Sequence, residues 1–432
     1  MFGYSSVVED LVIEKLLSSN GEHIPVIITG DGCQCDDLEK CVQDLGGVVK
    51  HKLPLINAVA AYIPPVGVRS VARERAVSKV LFDDMVFKLM DIASVTVAAD
   101  YANEHGLTGK GVTVAVVDSG VYPHSDLTTP TNRIIGFVDF VNKKNTPYDD
   151  DGHGTHVAGI VAGNGFASTG KYMGIAPDAN IVGVKVLNKD GGGSISDVIA
   201  GVQWVVDNKN RYNIKVMTMS LGTKAKSSYR EDPLCKAVDS AAAQGITVVV
   251  AAGNSGPDTS TINSPAISPN IIAVGACNDR TASNPKNCKI ADFSSRGPTP
   301  DGIHKPDILA PGVDINSLSN KDNGYRSLSG TSMATPIVAG CAALLYENNP
   351  RLTPQETKNL MIKNSVGLGY GPDVEGSGLI DIKRMIDTTN PTPQPRPPQQ
   401  NPENKNQGSK NFFSIFDGWL WVMVIVLLIL II

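Results

Sequence analysis

Short apolar runs alternate with stretches of helical spacing along the chain between residues 101 and 387. The run at 112–117 is almost wholly apolar, which is typical of a strand buried on both faces of a sheet. Later runs predict strands at 181–186, 216–220, 247–252 and 271–275, with helices at 196–207 and 234–243. This alternation predicts an α/β fold whose mostly parallel sheet is covered by helices on both faces.

A different pattern occupies residues 24–89. It predicts a strand at 25–29, a helix at 36–45, strands at 48–52 and 58–63, a helix at 68–75 and a strand at 77–81. This βαββαβ order indicates a small α+β, ferredoxin-like domain. We therefore expect an N-terminal segment at 1–23, this domain at 24–91 and the α/β domain at 92–387.

The last 45 residues change character twice. Residues 388–411 are polar and rich in proline, which predicts a semi-rigid linker. Residues 412–432 carry no charge after Asp417 and, at about 1.5 Å per residue, are long enough to cross a hydrocarbon layer of about 30 Å. Trp419 and Trp421 suit the membrane interface, so we expect a single C-terminal transmembrane helix. The alternative is an apolar helix docked on the protein or a partner.

Composition and charge narrow the class of protein. The 432 residues are 42% hydrophobic, enough for a large core, and the net charge of −5 gives no basic footprint for nucleic acid. The first apolar stretch is interrupted by Glu9, Asp10, Glu14 and Lys15, so no secretory signal is expected. Lysines precede the 412–432 segment and nothing basic follows it, which favours the cytoplasmic side for the α/β domain.

Seven cysteines, an odd number, fit a reducing compartment better than a disulfide framework. Cys277 and Cys288 are the one pair worth testing for a bridge. Cys33 and Cys35 could bind a metal or sense redox state, but two ordinary thiols are the favoured interpretation.

Candidate chemistry begins at Ser332, where a Gly-Thr-Ser turn runs straight into an apolar helical pattern. The free N–H groups and positive dipole end of such a helix favour an oxyanion. Taken alone, a serine at this place is more often a helix cap than a nucleophile. A nucleophilic serine needs a base within hydrogen-bond reach and an acid that holds the base.

The chain offers one good candidate for each partner. Asp118 ends the 112–117 strand, and open α/β sheets keep their sites at the carboxyl ends of strands. His153 stands between glycines just before another apolar helical pattern, so it should be presented at a helix start.

Three motifs in this order resemble the subtilisin-like serine proteases. They are Val-Val-Asp-Ser-Gly around Asp118, His-Gly-Thr-His-Val-Ala-Gly from His153, and Gly-Thr-Ser-Met-Ala-Thr-Pro around Ser332. The resemblance spans residues 107–386 and implies a doubly wound α/β fold. It also implies that Ser332 attacks the scissile carbonyl, His153 moves the proton and Asp118 orients the imidazole.

The same resemblance implies further roles. Asn254 would donate to the oxyanion; the alternative is that Asn254 is an ordinary turn residue beside the glycine. The segments that match the family's substrate pocket are Ser220, Leu221, Gly222, Ala251, Ala252 and Gly253. Ser264–Pro265 matches a position that is commonly a cis peptide. The 24–91 domain resembles a propeptide that assists folding and inhibits the cleft, with a maturation cut in 87–94; a permanent accessory domain is the alternative.

Metal sites have weak support in the sequence. His153 and His156 have the spacing of two zinc ligands, but the glutamate of the zinc protease pattern is absent, so we interpret His156 as structural. Asp149, Asp150 and Asp151 could hold calcium, yet a solvated acidic turn is commoner. No cofactor is expected to be required, and no residue is assigned to a metal.

The sequence therefore predicts a membrane-anchored serine endopeptidase acting on protein or peptide substrates. Two alternatives stay open: an esterase or peptide ligase using the same acyl-enzyme, and a catalytically silent, membrane-tethered binding module.

Overall fold

The computed structural model of the chain describes residues 7–8, 10–18, 21–31, 35–53, 57–82, 96–279 and 287–389. The N-terminal part has a helix α1 (Asp10–Ser18) and a βαββαβ unit. The unit comprises β1 (Ile24–Gly30), α2 (Cys35–Asp44), β2 (Val48–Leu53), β3 (Ala58–Ile63), α3 (Pro65–Val71) and β4 (Val77–Phe82). Its strands pair in the order β2-β3-β1-β4, and every pair given for the described strands is antiparallel.

The predicted element order of this unit is observed, but α3 lies earlier than the spacing indicated. It begins at Pro65 and ends at Val71, whereas the pattern predicted 68–75. Proline at the first helical position has a preset φ and lacks an N–H that would be unpaired there. A buried apolar core from α2, α3 and the strands, including Leu38, Val68 and Val80, fills the space beneath the sheet.

The larger sheet contains eight strands, of which seven run parallel. The strands are β5 (Thr113–Asp118), β6 (Ile134–Asp139), β7 (Asn180–Lys185), β8 (Ile214–Met219), β10 (Thr247–Ala251), β12 (Ile272–Asn278), β13 (Lys289–Ile290) and β14 (Ile308–Pro311). Their order is β13-β12-β10-β8-β5-β7-β6, with β14 paired to β12, and among the described pairs only that of β13 with β12 is antiparallel. Short ladders join β9 (Thr223–Lys224) to β11 (Asn263–Ser264) and β15 (Ile315–Leu318) to β16 (Tyr325–Leu328).

Helices cover both faces of this sheet, as the alternation predicted. They are α4 (Ala99–Glu104), α5 (Ser125–Thr128), α6 (His153–Ala162), α7 (Ile195–Tyr212), α8 (Pro233–Ala243), α9 (Thr331–Asn348), α10 (Pro354–Asn364), α11 (Pro372–Glu375) and α12 (Ile382–Thr389). Alternate residues of β5 enter two different cores. Val114 and Val116 pack with α6 and α9, while Ala115 and Val117 pack with α7 and α8. Strand β5 therefore lies at the centre of a doubly wound sheet.

The start of the α/β region is held by two hydrogen bonds, one to the end of β12 and one to the start of α12. The buried Thr96 hydroxyl donates to Asp279 Oδ2 at 2.9 Å, just beyond β12. The carbonyl of fully buried Val97 accepts a hydrogen bond from Ile382 N at the start of α12. Close by, Cys277 and Cys288 form a disulfide that joins β12 to the segment leading into β13. This is the one pair that the sequence singled out for a possible bridge, although the odd number of cysteines had favoured a reducing compartment.

Among the described residues, no helix combines the length and apolar character needed to cross a membrane. The predicted anchor at 412–432, residues 390–411 of the predicted linker at 388–411, and the predicted maturation cut at 87–94 lie outside the described residues, whereas residues 388 and 389 end helix α12.

Candidate active site

Asp118 lies at the point where the strand order of the large sheet reverses direction. It is the last residue of β5, with β6 and β7 on one side and β8, β10 and β12 on the other. Its side chain is fully buried, and Ser119 N donates to Oδ1 at 2.7 Å. A carboxylate at such a switch point faces the crevice where α/β proteins bind ligands.

His153 is the first residue of α6, and the turn before it is shaped by a single buried carboxylate. Asp149 accepts hydrogen bonds from Ser119 Oγ at 2.9 Å, Gly152 N at 2.8 Å and Thr155 N at 2.9 Å. These bonds hold the helix start beside the end of β5.

Glycine at position 154 permits the close approach of α6 to β5. A Cβ atom there would lie 2.2 Å from the Gly120 carbonyl oxygen and 3.1 Å from Asp118 Cβ. With no side chain in the way, His153 Nδ1 reaches Asp118 Oδ1 at 2.8 Å. Because the carboxylate accepts, Nδ1 carries the proton, and Nε2 is left as the basic atom of the neutral ring.

The electrostatics of His153 favour a base that works near neutral pH. Burial lowers its pKa, but the charge of Asp118 and the hydrogen bond to it outweigh burial, so the net pKa lies above 6.5. The negative charges of Asp151 and Asp149 act in the same direction. The imidazolium formed when His153 accepts a proton is thereby stabilised.

Ser332 is the second residue of α9, a helix whose residues are buried from Met333 to Tyr346. Its hydroxyl donates to Ser220 O at 3.2 Å, and Ser220 Oγ donates to Ser332 O at 2.7 Å. Among the described residues the Ser332 hydroxyl is hydrogen-bonded to Ser220 and not to the imidazole of His153. The cap interpretation does not hold, because Gly330 occupies the cap position and makes no side-chain cap bond.

The amide of Asn254 is oriented by Thr331, whose role the sequence did not reveal. Asn254 Oδ1 accepts from both Thr331 N and Thr331 Oγ1 at 2.9 Å, so Nδ2 is the end left to donate. A Cβ atom on Gly330 would lie 3.3 Å from Asn254 Nδ2 and 3.6 Å from Ser332 N. The missing side chain at Gly330 therefore leaves room for an oxygen between two N–H donors.

Two cavities flank the segment from Ser220 to Gly222, which follows β8. The smaller, about 290 Å³, is lined by Ser220, Leu221, Gly222, Thr331 and Ser332 together with Ala251, Gly253, Asn254, Ser255 and Asn263. The larger, about 470 Å³, is lined by His153, Asp151, Leu187, Gly191, Gly192, Gly193 and Ile195 with Val198, Ser220, Leu221, Gly222, Thr223 and Leu234.

Ala252 is the one predicted pocket residue that does not line the smaller cavity. It is fully buried in the core shared with α7 and α8, because the residue after Ala251 faces the other side of the sheet. Its neighbours Ala251 and Gly253 do line the cavity. The predicted Ser264–Pro265 cis peptide is present.

The acidic run before His153 is engaged by protein groups. Asp149 organises the turn, Asp150 pairs with the buried Lys185 Nζ at 2.6 Å, and Asp151 Oδ1 accepts from His153 N at 2.9 Å. Within the described ranges, no group of three or more His, Cys, Asp or Glu side chains is arranged to hold a metal. The carboxylates thus point to different partners instead of converging on one calcium ion.

His156 has the structural role that was predicted. Its Nε2 lies 3.1 Å from Ile315 O and 3.0 Å from Arg326 O, which ties α6 to the β15–β16 hairpin. Burial lowers its pKa to about 3, so the ring is neutral. While Nε2 makes these contacts to carbonyl oxygens, it cannot also bind a metal ion.

An acid and an imidazole in contact, with a serine at a helix start in the adjoining cavity on the carboxyl edge of a parallel sheet, define the site of an α/β serine hydrolase. The subtilase family model matches residues 109–410, and the chain belongs to this family of serine proteases.

Relatives agree with this assignment over most of their length. The chain is 46% identical over 362 residues to the serine protease AprX of Bacillus subtilis (strain 168), covering 78% of this chain and 81% of the relative. It is 34% identical to subtilisin E of the same strain, covering 79% and 84%. A solved structure described as S41 psychrophilic protease is 34% identical, covers 63% of this chain and 92% of its own, and has a TM-score of 0.55.

Proposed function

We propose that the protein is a serine endopeptidase that hydrolyses peptide bonds through an acyl-enzyme on Ser332. The observation that carries the proposal is the 2.8 Å contact between His153 Nδ1 and Asp118 Oδ1, where His153 lines one of the two cavities that border Ser220–Gly222 and Ser332 lines the other. Asp118 holds the ring so that Nε2 is unprotonated, and its charge stabilises the imidazolium that forms during attack.

The reaction begins with a change of hydrogen-bond partner. The Ser332 hydroxyl leaves the carbonyl of Ser220 and donates to His153 Nε2, since a serine without a base is a weak nucleophile. Ser332 Oγ bonds to the substrate carbonyl carbon while its proton passes to Nε2. Asn254 Nδ2 and Ser332 N donate to the oxygen that becomes negative, in the space that Gly330 leaves open.

Collapse of this intermediate breaks the carbon–nitrogen bond, and the Nε2 proton goes to the leaving amine. Water then gives a proton to His153 and attacks the acyl carbon, which releases the acid product and restores Ser332. The substrate lies extended beside Ser220–Gly222, held by main-chain hydrogen bonds, with its side chains entering the two flanking cavities.

A fluorophosphonate probe tests the nucleophile directly. The wild-type chain should be labelled on Ser332 and should cleave a protein substrate, whereas Ser332→Ala should do neither. Ser220→Ala is a matched control, because it removes a neighbouring hydroxyl but leaves its backbone carbonyl in place. Peptide cleavage by Ser332→Ala would contradict the mechanism.

The same assay separates the alternatives. A catalytically silent binding module would show neither labelling nor turnover. An esterase or peptide ligase would be labelled but would favour ester substrates or aminolysis over peptide hydrolysis, since the acyl-enzyme does not itself select water.

The N-terminal domain is proposed to be a propeptide with a ferredoxin-like fold that inhibits the cleft until it is cut away. Its βαββαβ order and the strand order β2-β3-β1-β4 support this assignment. N-terminal sequencing should find the wild-type chain cut within 87–94 and purified Ser332→Ala uncut. A cut Ser332→Ala chain would contradict self-processing, and an uncut, active wild-type chain would favour a permanent accessory domain.

Residues 412–432 are proposed to anchor the protease in a membrane, with the catalytic domain on the cytoplasmic side. The support is the uncharged sequence after Asp417 and the position of the lysines before it. The full chain should sediment with membranes and resist carbonate extraction, whereas a chain ending at residue 411 should not. Protection of the catalytic domain from external protease in sealed right-side-out vesicles would support the orientation; digestion would contradict it.

A further inference from the structure

The larger cavity beside the active site has one acidic wall and otherwise neutral or apolar walls. Of the described residues that line it, Asp151 is the only acid, and His153 is the only other titratable side chain. Leu187, Ile195 and Val198 give the apolar part. A wall of this kind complements a long side chain that has an aliphatic stem and a cationic end.

One oxygen of the Asp151 carboxylate accepts a backbone hydrogen bond, and the other oxygen faces the cavity. Oδ1 accepts from His153 N at 2.9 Å, whereas no donor within the described part of the chain reaches Oδ2. A Cβ atom on Gly191 would lie 3.8 Å from Oδ2, so this oxygen faces a rim of the cavity that carries no side chain. The run Gly191 to Gly193 thus leaves space for a substrate group next to the charge.

Two neighbouring acids are paired with lysines. Asp150 pairs with Lys185 Nζ at 2.6 Å, and Asp190 pairs with Lys189 Nζ at 3.0 Å. Neither residue is among the described residues that line the cavity. Asp151 therefore supplies the carboxylate that lines the cavity, and a cation placed there can form an ion pair with it.

The extended conformation of the bound peptide determines which of its side chains enters this cavity. Successive side chains of an extended peptide point to opposite sides, and both cavities border Ser220–Gly222. The smaller cavity contains Asn254 and Ser332, so it receives the side chain of the residue whose carbonyl is attacked. The preceding residue then points toward His153 and Asp151.

We propose that Asp151 selects substrates with Lys or Arg as the second residue before the scissile bond. The proposal rests on the proposed peptidase activity and adds the side-chain class that the active site prefers. It assigns Asp151 a role in specificity that is separate from the bond it makes to His153 N.

Matched peptides test this assignment in enzyme purified from the full chain. Fluorogenic peptides should differ only at the second residue before the bond, which is Lys, norleucine or Glu. Wild-type kcat/KM should be about tenfold higher for Lys than for norleucine, equivalent to about 1.4 kcal/mol, and lower again for Glu. Raising the ionic strength from about 0.05 M to 0.5 M should reduce the Lys preference.

Asp151→Asn keeps an oxygen acceptor for His153 N and removes the charge. It should bring the Lys to norleucine ratio close to one and improve the relative rate for Glu, while Asp190→Asn, with the same change of net charge nearby, should keep the wild-type ratios. A purely structural effect of Asp151→Asn would move all three substrates in the same direction.

The proposal is overturned if wild-type enzyme cleaves the Lys and norleucine peptides equally, or if Asp151→Asn keeps the Lys preference. Failure of the proposed function gives a different result, because then no peptide is cleaved and Ser332 is not labelled by the fluorophosphonate.

Discussion

Replacing Asp118 with Asn tests the electrostatic basis of the active site. The substitution keeps the size of a fully buried side chain but removes the charge that lies 2.8 Å from His153 Nδ1. At that distance and an effective dielectric constant of about 20, a full ion pair is worth about 6 kcal/mol. This stabilisation is available only when His153 carries its second proton, which happens during attack.

The expected loss in kcat is about 10⁴-fold, or about 5.5 kcal/mol of transition-state stabilisation, similar to the loss found for the same change in chymotrypsin-type enzymes. An Asn amide that donates to Nδ1 would also hold the imidazole in the wrong tautomer. Both effects act on the chemical step, so KM should change much less than kcat.

The pH profile gives an independent measurement. In the wild type the pKa of His153 lies above 6.5, because the Asp118 charge outweighs burial, and activity needs the neutral ring. Activity should therefore fall as the pH drops through that raised pKa. In Asp118→Asn burial remains and the main opposing charge is lost, so the acid limb should move to lower pH.

Asp126→Asn is the matched control, since Asp126 is also fully buried, but its carboxylate accepts from Ala167 N and Tyr325 Oη and lies 3.6 Å from Nδ1 of His124, not against His153. It should lower stability and leave the acid limb where it is. The reasoning is refuted if Asp118→Asn keeps kcat within about tenfold of the wild type, or if its acid limb does not move.

Three further predictions concern Gly154, His156 and the Cys277–Cys288 disulfide. Gly154→Ala should lower kcat/KM by about 10²-fold with a normal circular dichroism spectrum, because its Cβ would meet the Gly120 carbonyl and displace α6; wild-type kinetics would contradict this. Burial lowers the pKa of His156 to about 3 in the native state. Between about pH 6.5 and that value, His156 is therefore protonated in the unfolded chain but neutral in the native state. This group should thus lower the unfolding free energy by about 1.4 kcal/mol for each pH unit by which the pH falls within that range, and His156→Gln should flatten the slope in urea titrations. Cys277→Ser opens an 11-residue loop and should lower the unfolding free energy by about 3 kcal/mol, and an unchanged urea midpoint would count against the bridge.

The sequence predicted the features that depend on local pattern. The apolar run before Asp118 made a buried strand, and the glycines around His153 allowed a helix to start there. These features are set by residues close together in the chain, so period and turn chemistry were enough to find them.

Features set by long-range contacts could not be predicted in the same way. Thr331 orients the Asn254 amide across 77 positions, and Asp149 gathers donors from Ser119 and from the start of α6. The fold is likewise what brings the Gly191–Gly193 run opposite Asp151.

The double attachment of Thr96 and Val97 has a consequence for the lifetime of the enzyme. A protease that trims the chain from its N-terminal side needs accessible residues, and at Thr96 and Val97 it reaches a buried, hydrogen-bonded side chain followed by a buried, hydrogen-bonded carbonyl. N-termini produced by different cuts upstream should therefore be trimmed to about the same position, a few residues before Thr96. If the N-terminal domain is removed as proposed, the catalytic domain would keep a protease-resistant N-terminus even when the position of the first cut varies.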